Sequence, residues 1–122
     1  MKNLEFILKN ITNTYNLTPF QINQLRKQLK YFKNGNIIIP KKWQTVLNVD
    51  ILTAYKILDY ISRLGYLKPV FEIYCSRCHK SNNLIVDNLV EFNEKIDNCN
   101  ECNHELNFLE DAIRLYKVIN YG

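Results

Sequence analysis

Apolar residues at Leu4, Ile7, Leu8 and Ile11 recur at intervals of three and four, which predicts a short first helix. A second set, Ile22, Leu25, Leu29 and Phe32, follows a clear start signal in Thr18-Pro19-Phe20-Gln21. Thr18 can cap, Pro19 suits the first helical position, Gln21 can close a capping box, and Asn34-Gly35 ends the helix. Ile37-Ile38-Ile39, closed by Pro40, reads as a small strand because β-branched residues fit a pleated surface. Trp43, Val46 and Leu47 then predict a short helix broken near Asn48-Val49. Asp50 can cap a longer helix with the stripe Ala54, Ile57, Leu58, Ile61 and Leu64, and Gly65 supplies the left-handed stop. Residues 66–74 read as extended.

The chemistry-bearing pattern lies beyond this run. Cys75-Ser-Arg-Cys78 and Cys99-Asn-Glu-Cys102 are two Cys-x-x-Cys pairs with 20 residues between them. Each pair fits one tight turn that points both sulfurs inward, and two facing turns supply the four thiolates of a tetrahedral zinc. A redox dithiol of the thioredoxin kind wants one such pair in a βαβ context, which the pattern lacks. Four cysteines at this spacing also take precedence over His79 and His104 as ligands. The expected cofactor is therefore one structural Zn²⁺ held by Cys75, Cys78, Cys99 and Cys102. With four thiolates the metal keeps no open coordination position, so it acts as a staple and not as a catalyst.

The spacing also resembles that of zinc ribbons. Leu84-Ile85-Val86, Leu106 to Phe108 and Ile113 to Ile119 would supply the short antiparallel strands of such a module. A ribbon knuckle commonly has Gly after its second cysteine, in a left-handed turn. Here His79 and Asn103 stand at those positions, and both residue types tolerate positive φ.

Charge divides at the first cysteine. Residues 1–74 hold 11 Lys/Arg against 4 Asp/Glu, and residues 75–122 hold 5 against 8. A basic first part can attract phosphates, while an acidic second part resists them. Arg26, Lys27, Lys30 and Lys33 fall on the second helix away from its apolar stripe, and Lys41 and Lys42 extend the patch. No Gly-rich phosphate loop and no clustered acid, base or nucleophile occurs, which argues against an enzyme. No stretch approaches the roughly 18 apolar residues that would span a bilayer. Residues 1–11 carry Glu5 and Lys9 with no small-residue cleavage site after them, so a cytoplasmic protein with no membrane partner is expected. Ala occurs only at positions 54 and 112, whereas Asn, Ile and Lys abound; the bias suggests an AT-rich genome such as that of a low-GC bacterium or its mobile elements.

The order of elements and the stretch Trp43 to Leu67, ending Leu-Asp-Tyr-Ile-Ser-Arg-Leu-Gly-Tyr-Leu at 58–67, resemble a winged helix-turn-helix over about half the chain. The resemblance implies an α+β chain with a mostly helical winged-helix module at 1–72 and a small antiparallel zinc ribbon at 73–122. It also implies that the longer helix presents Thr53, Lys56, Asp59, Tyr60 and Arg63 toward a DNA groove, with Asp59 opposing that role. Only nine residues separate Gly65 from Cys75, so the wing is expected to be rudimentary, with Phe71 packed between the longer helix and the strand around Leu115 and Val118. Winged-helix and zinc-ribbon pairings are similar to the transcription factor E type and to small accessory proteins of bacterial mobile elements or defence systems. They imply a non-catalytic DNA-binding protein of transcription or replication. The other function class is an adaptor that docks onto a larger enzyme, a polymerase or a defence effector.

Overall fold

The computed structural model describes residues 2–121. Helices α1 (Lys2–Thr14) and α2 (Pro19–Lys30) precede the two-residue strand β1 (Ile37–Ile38), then come α3 (Pro40–Leu47), α4 (Ile51–Arg63) and β2 (Leu67–Tyr74). Strand β3 (Ser81–Val86), the short helices α5 (Leu89–Lys95) and α6 (Phe108–Asp111), and β4 (Ala112–Val118) complete the chain. The fold is α+β, with one four-stranded sheet among the described residues in the order β1-β4-β2-β3. Strands β1 and β4 pair antiparallel, Ile38 opposite Tyr116, and so do β2 and β3, Phe71 opposite Val86. Among the described residues no helix is long and apolar enough to cross a membrane.

Two compact units emerge, Met1–Lys68 with Tyr116–Gly122, and Pro69–Leu115. The division differs from the one expected at 72/73, because the end of β4 belongs with the helices. Tyr116, Val118 and Tyr121 are buried in the helical unit's core beside Ile7, Leu29, Trp43, Ile57 and Ile61. Strands β2 and β4 each cross the boundary, so the second unit is an insertion between two strands of the first.

The local signals in the helical unit act as their chemistry requires. Thr18 and Gln21 form a full capping box, the Thr18 hydroxyl accepting from Gln21 N at 3.2 Å and Thr18 N donating back to Gln21 Oε1 at 2.9 Å. Asp50 caps α4 by accepting from Thr53 N at 2.6 Å. Asn48 ends α3 at φ 55° and Gly65 follows α4 at φ 97°, both in the left-handed region where Asn and Gly are favoured. Pro40 begins α3 rather than merely closing a strand, since the first helical position needs no N–H.

The inserted unit has its own apolar cluster, Ile73, Cys75, Val86, Phe92, Cys99 and Leu106, with Phe71 and Phe108 against it. Phe71 meets Phe108 edge-on at 4.9 Å between centroids and packs against this cluster, whereas Val118, expected beside it, lies in the helical unit's core. Residues 106–108 do not form the expected strand. Asn107 instead caps α6, its side chain accepting from Leu109 N at 2.9 Å, and the backbone turns away.

Candidate metal centre

Cys75 sits at the end of β2 and Cys78 three residues on, with His79 N donating to Cys75 O at 2.9 Å to close the turn. The second knuckle repeats the bond, Asn103 N to Cys99 O at 3.0 Å. Both turns need a left-handed residue, and His79 at φ 60° and Asn103 at φ 63° supply it. Each knuckle is also closed at its base, Cys75 N to Lys80 O at 3.0 Å and Cys99 N to His104 O at 2.8 Å.

These turns bring all four Sγ atoms within 4.8 Å of one another, with Cys75 to Cys102 and Cys78 to Cys99 each at 3.6 Å. Disulfide sulfurs lie about 2.05 Å apart, so these are free thiols. Zinc–sulfur bonds of about 2.3 Å put the corners of a regular tetrahedron about 3.8 Å apart. The donor set therefore fits one structural metal ion, with Cys75 and Cys99 buried and Cys102 exposed.

The surroundings shift the thiols in opposite directions. Burial first, and then the neighbouring sulfurs, push the Cys78 thiol up to about 12. The backbone N–H of Cys102, with help from that of Glu101 and against burial, holds Cys99 down at about 6. Four sulfurs this close cannot all ionise beside one another without a cation among them.

Two supporting residues carry no signature in the sequence. Buried Asn82 on β3 accepts from Asn100 N at 2.9 Å and directs its Nδ2 at Cys99 Sγ, 3.8 Å away, tying β3 to the second knuckle. Wholly buried Asp111 accepts from Ser76 N at 2.8 Å and Asn107 N at 2.7 Å, and lies 3.6 Å from His104 Nε2. Outer partners of this kind orient ligands in metal sites. His79 is exposed and His104 faces Asp111, so neither joins the sulfur cluster.

The residues expected to meet nucleic acid separate into groups. Lys27, Lys30, Lys33, Lys41 and Lys42 are all exposed, but α2 ends at Lys30, so Lys33 lies in the turn beyond it. Arg26 is exposed and paired with Glu5 at 2.7 Å. On α4, Lys56 and Arg63 are exposed, whereas Thr53 is half-buried. Tyr60 is half-buried too and stands edge-on to Tyr15 at 6.0 Å, packed against the core rather than presented outward. Half-buried Asp59 accepts a hydrogen bond from the Tyr116 hydroxyl, a contact made possible by the return of β4. Compared with protein-family models, curated proteins and solved structures, the chain matches none.

Proposed function

We propose that this chain is a non-catalytic, zinc-stapled winged-helix protein that binds nucleic acid, DNA in particular, in transcription or replication of a bacterium or mobile element. The observation that carries the reading is the charge of the two units. The helical unit holds 12 Lys/Arg against 3 Asp/Glu, net +9, and the inserted unit 4 against 9, net −5. The polarity is sharper than the linear sequence displays, because the unit boundaries move Lys117 to the basic side and Glu72 to the acidic side. Such a basic surface attracts phosphates through counterion release.

Topology supports the winged-helix part. A wing needs one strand out and one strand back beside the first. Strand β2 leads out, β4 returns between β1 and β2, and the zinc unit occupies the chain between them. The wing is then replaced by the metal unit rather than shortened. On α4 the charge that would repel phosphate, Asp59, is bonded to Tyr116, leaving Lys56 and Arg63 as its exposed ions. The zinc contributes folding free energy and no reaction.

The test is anisotropy of a labelled DNA duplex with the zinc-loaded chain across a salt series. Affinity should fall linearly on a log–log plot, and Lys27→Gln with Lys30→Gln should reduce the slope by about 1.8, near 0.9 per lost phosphate contact. Absence of binding at low salt would overturn the reading in favour of the second one, a protein-interaction adaptor. That reading is supported by the inserted unit, whose acidity opposes nucleic acid and whose surface carries Leu109 at 90% exposure and Val90 at 64%.

A further inference from the structure

Asn34-Gly35 is the one Asn-Gly pair in the sequence. Such a pair carries a built-in reaction, because Gly, with no Cβ, lets its backbone nitrogen turn back onto the carboxamide of the Asn before it. The nitrogen loses its proton and bonds to Cγ, the Cγ–Nδ2 bond breaks, and Nδ2 leaves as ammonia carrying a proton in return. Water then opens the five-membered imide to aspartate or isoaspartate. One water is consumed and one ammonia released, and neither an oxidant nor a cofactor takes part.

The segment 118–121 holds both reacting groups. The Gly35 N–H donates to Val118 O at 2.8 Å, which occupies the proton that must leave. The Asn34 carboxamide is held at both ends by Tyr121, accepting from its N–H at 2.8 Å and donating to its carbonyl at 3.1 Å. Val118 N to Asn36 O at 2.9 Å completes the clasp. Crowding adds no restraint: Asn34 is exposed to water, and a Cβ built on Gly35 would meet nothing within 4 Å. Hydrogen bonding, and not burial, therefore keeps the pair from reacting.

Residues 119–121 follow β4 outside any helix or strand, and such a segment opens locally at less cost than a core helix. We propose that Asn34 is a self-modification site gated by residues 118–121, stable while they are docked and deamidated when they lift. The product cannot restore the clasp. A carboxylate at position 34 puts an acceptor oxygen where Nδ2 donated, facing the Tyr121 carbonyl, and isoaspartate adds a methylene to the backbone beside the bond from Gly35 to Val118. A transient opening of the helical unit is thereby turned into a permanent change of charge and of docking.

The test is peptide mapping by mass spectrometry of the full zinc-loaded chain aged in heavy-oxygen water at mildly alkaline pH, with the same chain unfolded in guanidinium chloride as the undocked reference. Deamidation at Asn34 should be at least about tenfold slower in the folded chain. Tyr121→Phe loses the hydroxyl bond to Leu29 O and should react about fivefold faster than wild type. Ile11→Val, a comparable loss on α1 of the same unit, should leave the rate unchanged. Equal rates in the folded and unfolded chain would overturn the gate. So would a Tyr121→Phe rate equal to wild type, or equal acceleration by Ile11→Val, which would mean that only global unfolding frees Asn34. Asn34→Asp, made directly, should show faster hydrogen exchange at the Gly35 and Val118 amides with α3 and α4 still protected; unchanged exchange at both amides would overturn the one-way character of the change.

Discussion

Asp111, wholly buried, accepts the backbone N–H of Ser76 at 2.8 Å, joining the first cysteine knuckle to a residue 35 positions away. Its other oxygen accepts Asn107 N at 2.7 Å. Burial alone would raise this carboxyl, but the donors at Ser76 and Asn107 outweigh it and hold the group below the ordinary carboxylate range.

The carboxylate should therefore hold the unit together at neutral pH. A depressed folded value means stability that is fully present above the unfolded value of about 3.9 and lost as pH falls through the folded one. Asp111→Ala removes the buried acceptor shared by the Ser76 and Asn107 N–H groups and should cost about 2–4 kcal/mol. Denaturant unfolding of the zinc-loaded chain, followed through thiol accessibility at pH 7, checks this. An unchanged midpoint would show that Asp111 is dispensable to the inserted unit.

Tyr121 belongs to the helical unit through three hydrogen bonds. Its hydroxyl donates to Leu29 O at 2.8 Å, its N–H to Asn34 Oδ1 at 2.8 Å, and its carbonyl accepts from Asn34 Nδ2 at 3.1 Å. Its ring meets Phe32 at 5.2 Å between centroids, and Phe32 in turn lies 6.0 Å from Trp43. Tyr121→Ala should destabilise the transition reported by Trp43 fluorescence by about 3–5 kcal/mol. A Trp43 transition that does not move would place residues 116–121 with the metal unit after all.

Elements with local causes were legible in the sequence. The capping box at Thr18 and Gln21, the Asp50 cap, the left-handed stop at Gly65 and the four-cysteine set all depend on residues close in the chain or on fixed spacing. The left-handed knuckle positions at His79 and Asn103 belong with them. Helix α5 was less visible because it is only seven residues long, although Asn88 capping Glu91 N at 2.9 Å, with Glu91 bonding back to Asp87 N, is the signal that could have found it. Non-local consequences were not legible. A strand's partner is not encoded in its own alternation, so β4 read as a ribbon strand until its pairing with β1 placed Tyr116 in the helical core. The same pairing withdrew Asp59 from the outer face of α4. Asn82 carries no metal-ligand signature, and only the fold brings it to Cys99.

The central claim is that one metal, held by Cys75, Cys78, Cys99 and Cys102, folds the inserted unit Pro69–Leu115. Hydrogen exchange read by mass spectrometry, on the reduced full chain before and after removal of metal by a chelator, tests it most directly, with elemental analysis of the starting sample. The account predicts one zinc per chain, loss of amide protection across residues 69–115 on chelation, and retained protection in α1 to α4, because structural zinc supplies folding free energy to a unit with a small core. Cys99→Ser should give the chelated pattern without chelator. A reduced, metal-free chain whose residues 69–115 stay fully protected would contradict it.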